Sequence, residues 1–112
     1  MGGIMLISTT DTLSGYEITE YLGIVTGETV SGANILRDVM ATVTDYVGGR
    51  STAYEEVLEA ARQSALDEMT DRARQKGGDA IIGVSLDYET VGSRGAILMV
   101  TAAGTAVRLK KI

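Results

Sequence analysis

Neither cysteine nor histidine occurs in this chain. The first absence removes disulfides and thiolate metal ligands together. The second removes imidazole ligands and the commonest general base near neutral pH. Phenylalanine and tryptophan are missing too, so the aromatic residues, 4% of the total, are all tyrosine. A core must therefore be assembled from Ile, Leu, Val, Met and Ala. Positive charge is in short supply, with 10 basic against 15 acidic residues and a net charge of −5. That field repels phosphate backbones, so nucleic acid is not an expected partner. No apolar run approaches the roughly 18 residues of a membrane span. The N-terminus also lacks the basic region, apolar segment and small-residue cleavage site of a signal peptide. The expectation is a cytoplasmic protein with no membrane partner. Its 112 residues make one domain, 1–112, able to bury roughly two-thirds of its unfolded surface without staples.

What is present is organised around Ser51 to Lys76. Tyr54, Leu58, Ala61, Ala65, Met69 and Ala73 recur at steps of three or four, which puts them on one face of a long helix. Val57 and Leu66 widen that stripe, while Glu56, Glu59, Gln63, Asp67, Thr70 and Arg74 fall on the far side. Thr52 with Glu55 three residues later reads as a capping box, and Gly77-Gly78 as the stop. A second, shorter helix is expected from Ile35, Leu36, Val39, Met40, Val43 and Val47, ended by Gly48-Gly49.

The remaining apolar residues read as strands. Ile4 to Ile7 is a short run closed by a turn, Ser8 to Asp11. Tyr16 to Val30 is a longer extended stretch with Ile18, Glu20 and Leu22 in one phase, and Gly23 and Gly27 mark a bulge or a close backbone approach. In Ala80 to Val91, Ile82, Val84, Leu86 and Tyr88 face one way, and Gly83, Ser85, Asp87 and Glu89 the other. Gly92 to Gly95 is a turn of hairpin length. In the return strand, Ala96 to Leu109, residues Ile97, Met99, Thr101, Ala103, Thr105 and Val107 alternate with Leu98, Val100 and Ala102. The order ββ-αα-ββ points to an α+β fold, an antiparallel sheet packed on a long and a shorter helix. A helix pair covers only one sheet face, yet the last strand is apolar on both. Surplus apolar surface of that kind marks interfaces, so the chain's expected partner is itself, as a homo-oligomer.

Candidate chemistry is sparse. Asp87 and Glu89, two apart on one strand face, could give oxygen ligands to a hard cation, or could form a solvated outer face. Arg62 and Arg72 sit at the margins of the helix stripe, placed to bind an anion or to pair with a carboxylate within or between subunits. Arg50 precedes the long helix, but Thr52 and Glu55 already occupy that N-terminus. The segment Gly23 to Gly32 lacks both the Gly-Lys-Ser/Thr ending of a phosphate loop and dinucleotide spacing, so no cofactor is expected. No Ser has a His or Lys partner at motif spacing, and no enzymatic activity is expected.

Taken together, Gly15-Tyr-Glu-Ile18, Gly23-Ile-Val-Thr-Gly27, Gly48-Gly-Arg50 with Tyr54-Glu55, Leu58 with Ala61-Arg62, Ala65, Met69, Ala73, Gly77, Asp87-Tyr-Glu89 and Met99 to Val107 resemble the YbjQ-like bacterial proteins, which are often labelled heavy-metal-binding. The likeness spans nearly the whole chain. It implies a small α+β subunit in a ring-like homopentamer and supplies no established activity. The metal label fits poorly, because soft metals prefer Cys and His, and carboxylates such as Asp87 and Glu89 favour Ca²⁺, Mg²⁺ or Mn²⁺. Arg62, Asp87 and Glu89 are the candidate ligand or interface residues, with Asp87 and Glu89 the candidate metal pair.

Overall fold

The structure, a computed structural model, describes residues 4–31, 46–47, 50–92 and 97–112. The elements run β1 (Leu6–Ile7), β2 (Tyr16–Ser31), β3 (Tyr46–Val47), β4 (Arg50–Ser51), α1 (Thr52–Gln75), β5 (Ala80–Val91) and β6 (Ile97–Lys111). One helix packs on a four-stranded sheet of order β1-β5-β6-β2, an α+β fold.

α1 matches its sequence pattern within a residue at either end. Ala61, Ala65, Met69 and Ala73, all buried, form its sheet-facing stripe. The small alanines let the helix backbone descend onto β2. At Gly27 a Cβ would collide with the carbonyl oxygen of Ala65 and approach Met69 N to 2.7 Å. Thr70, expected on the far side, is buried, with its hydroxyl donating to Leu66 O at 2.8 Å so that no polar group is stranded. The helix ends in a Schellman turn. Gly77, at φ 82, donates to Arg74 O, and Gly78 donates to Ala73 O, both at 2.9 Å.

The sheet is mixed rather than antiparallel throughout. β2–β6 and β5–β6 are antiparallel, but β1 lies parallel to β5, pairing Leu6 with Ala80 and Ile7 with Ile81. Two residues of strand carry no sequence signal for direction. The following turn continues the seam, as Ser8 N donates to Ile81 O at 2.9 Å and Val84 N to Ser8 O at 3.0 Å.

β6 alternates as its sequence requires. Leu98, Val100, Ala102 and Ala106 are buried under α1, together with Val25, Ile81 and Val84. In β5 the alternation breaks. Ile82 pairs with Thr105 and Ser85 with Ala103, so Gly83 and Val84 together oppose Gly104. Gly83 takes φ 59, the left-handed conformation such a bulge favours. Ile82 therefore turns away from the helix and joins Ala80 and Val107 in a second cluster, covered by Leu13, Ile18 and Leu109. The single phase expected for Ile82, Val84 and Leu86 is thus split by the extra residue. Register shifts between Ile18 and Glu20 and between Tyr21 and Gly23 do the same in β2, separating Ile18 from Leu22.

Tyr46 and Val47 correct the end of the expected second helix. They form β3, paired with β4 in a small hairpin, Tyr46 against Ser51 and Val47 against Arg50. The remainder of that helix, residues 35–45, lies outside the described residues. Among the described residues no helix is long and apolar enough to cross a membrane.

Candidate functional site

α1 lies chiefly over β2 and β6, so the second half of β5 is left uncovered on the helix side. A cleft of about 410 Å³ opens there, lined by Leu58 and Arg62 from α1, Tyr88, Glu89 and Thr90 from β5, and Leu98 from β6. Leu58 and Arg62 are four apart and share a helix face. Tyr88 and Thr90 pair with Val100 and Leu98, residues of the helix-side core, so both present that face of the sheet. The floor is apolar, with Leu98 only 1% exposed. The rim is polar.

Arg62 Nη1 donates to Tyr88 Oη at 3.4 Å. This hydrogen bond is the main influence raising the Arg62 pKa above its ordinary value, with Glu59 adding a smaller electrostatic contribution, so the guanidinium is permanently charged. No carboxylate lies within ion-pair distance of it among the described residues, unlike Arg72, Arg74 and Arg108, which have Glu68, Asp71 and Glu20 at 3.4–3.6 Å.

Asp87 and Glu89 occupy the opposite face. They pair with Thr101 and Met99, in the phase pointing away from α1, and both are exposed. They share a face as their spacing requires, but the sheet separates them from Arg62. Glu28, opposite Thr101 on its other side, adds a third carboxylate to that row. Asp87 and Glu28 stand two strand spacings apart, roughly 9–10 Å. Among the described residues no three Asp or Glu gather closely enough to hold a metal ion. Among the described methionines, Met69 is sealed in the core and Met5 packs against it, so Met99, paired with Glu89, brings only one thioether to the carboxylate face. The donor set does not fit a heavy metal.

The other candidates resolve as structure. Arg72 pairs with Glu68 at 3.4 Å and donates to Thr26 O at 2.8 Å. Glu68 in turn accepts from Glu28 N at 2.9 Å. These two side chains occupy outward backbone groups in the middle of β2, an edge strand. The side chain of Arg50 is outside the described residues. Gly23 to Ser31 is continuous strand paired with β6, not a phosphate loop. Sequence reasoning passed over Tyr88 and Leu98 as site residues. The available signal was phase: Tyr88 lies out of step with Asp87 and Glu89, on the face that meets Arg62.

Comparison with known proteins gives one family and one fold. The YbjQ family model, described as "Putative heavy-metal-binding", matches residues 5–110. Among solved structures, the chain is similar to a protein of unknown function from Pediococcus pentosaceus ATCC 25745, of the DUF74 family, with a TM-score of 0.60 and 21% identity over 95% of this chain and 98% of that chain. At that identity the likeness establishes the fold alone.

Proposed function

This chain belongs to the YbjQ family, and from that footing we propose that it is a non-enzymatic, cytoplasmic protein that assembles with copies of itself and binds a small ligand or ion at subunit boundaries. The observation that carries this reading is the outer face of the sheet. Val30 is 59% exposed and pairs with the half-buried Met99 of β6, with Ile97 two residues further along the same strand, and Ile24, 76% exposed, stands separately on that face opposite Thr105. Apolar surface in such a row is costly to leave in water, at about 25 cal/mol per Å². The non-enzymatic part rests on chemistry: Arg62 and Tyr88 are hydrogen-bond donors with no histidine or cysteine anywhere to act beside them. Sedimentation velocity at micromolar concentration tests the assembly. The expected mass is several times 11.8 kDa, near fivefold if the assembly is the ring that the family resemblance implies. A monodisperse 11.8 kDa species overturns it.

The second reading, weak binding of a hard cation by Asp87 and Glu89, is favoured by their exposure on one face with Glu28 across Thr101. It also gives the family's description a chemistry that this chain could supply. Calorimetric titration with Mn²⁺, Zn²⁺ and Cu²⁺ separates the readings. Heat with Mn²⁺ that vanishes in the Asp87→Asn/Glu89→Gln double variant supports the cation. Silence at millimolar metal, or binding unchanged in that variant, removes it.

A further inference from the structure

We propose that the cleft between α1 and the end of β5 binds a small monocarboxylate with an apolar tail, its carboxylate held by Arg62 and the Tyr88 hydroxyl. This rests on the ligand-binding part of the reading above, names the class of ligand and the side chains that take it, and places the site within one chain, on the sheet face opposite the proposed contact between copies. The guanidinium carries five N–H donors, and the described structure uses one of them, on Tyr88 Oη at 3.4 Å. Tyr88 accepts that bond, which leaves its own hydroxyl hydrogen free to donate from the same oxygen. Two donors so placed match the two oxygens of one carboxylate, and the bond from the guanidinium is charge-assisted. Below them, Leu58 and Leu98 make an apolar wall, and the volume of about 410 Å³ falls in the lower part of the roughly 300–1,000 Å³ range of small-molecule pockets.

Charge selects against the alternatives. A cation would face a guanidinium that has no ion-pair partner among the described residues. A phosphate dianion would find, among the described residues, a single positive group in the cleft on a chain of net charge −5. A single negative charge on an apolar body suits what is there.

The test is a titration of the ¹⁵N-labelled full chain with hexanoate, with hexanol, hexylamine and inorganic phosphate as comparison probes. Hexanoate is expected to produce saturable shifts at the amides of Leu58, Arg62, Tyr88 and Leu98, and to bind at least about tenfold more tightly than the other three. Arg62→Gln is expected to weaken hexanoate about tenfold and to leave hexanol unchanged, with Tyr88→Phe as an independent, smaller loss. Hexanol or phosphate binding as well as hexanoate, shifts confined to other residues, or an unaltered Arg62→Gln affinity would each overturn the proposal. So would a cleft deaf to hexanoate whose shifts follow protein concentration instead, which would make a second copy the occupant. Should Arg62→Gln fail to fold, the ranking of the four probes on the wild-type protein still decides. Failures also stay separable: a monomer that binds hexanoate retires the assembly alone, and an oligomer that ignores hexanoate retires this site alone.

Discussion

Three glycines set the geometry between helix and sheet, and they do so by different physics. Gly27 has no room for a methyl group, because Ala65 O and Met69 N, both backbone atoms, stand in its place. Gly83 has open space around it but a φ of +59. Gly104 faces Ile81 Cγ2 at 2.6 Å and Val84 Cγ2 at 3.0 Å from the position of an added Cβ. Gly27→Ala must therefore push the helix off the sheet and is expected to cost about 2–3 kcal/mol. Gly83→Ala meets only the left-handed backbone penalty, about 1–2 kcal/mol. Thermal unfolding of the two variants checks the order, and Gly83→Ala proving the more damaging would refute the close-approach account. The sequence marked Gly27 because glycine inside a strand has few other uses. It could not distinguish approach from bulge there, since that depends on which helix residue lies above. Nothing local announced that Gly83 would reverse the side on which Ile82 falls.

At the scale of elements, α1 was legible almost to the residue because three features agree: the apolar step, the acidic start and the glycine stop. β6 was legible for the same reason, as an unbroken alternation leaves only one pairing phase. The end of the expected second helix was not, because Val at a helical step is equally at home in a strand, and Tyr46-Val47 forms one. Arg62 could be placed at the stripe margin from sequence, but not its pairing with Tyr88, which joins residues 26 apart. The Glu68–Arg72 pair is likewise a helix feature whose purpose appears only against β2. As an ion pair with both side chains nearly half exposed it is weak, so Arg72→Ala is expected to lower stability by less than about 1 kcal/mol. Its larger effect is expected on solubility, because Thr26 O on the strand edge loses its donor. Light scattering at raised concentration should show more aggregation than wild type. A variant as soluble as wild type would reduce the pair to decoration.

For the molecule as a whole, the imbalance between the two sheet faces is the property that matters. One face is covered by α1 except over the end of β5, while among the described residues the other is covered at the end where Leu13, Ile18 and Leu109 lie over Ala80, Ile82 and Val107. Toward the opposite end Val30 and Met99 stand in one cross-strand row with Glu89 beside them. Placing a charge in that row should separate self-associated copies without disturbing the helix-side core. Val30→Glu is expected to keep the thermal midpoint within a few degrees and to shift the sedimenting mass toward a single chain. An unchanged mass would move the contact elsewhere on the surface.

The stoppered middle of β2 has a counterpart in the bare latter half of β5, which has no neighbouring strand past Val84 on its β1 side among the described residues. Copies that grew by joining rim to rim would need two open rims, one to give and one to receive, and this subunit offers one along its central length. If copies assemble as proposed, fibre-like extension is therefore disfavoured at the second addition, and broad-side contact through the greasy face is the expected route to a finite, closed particle.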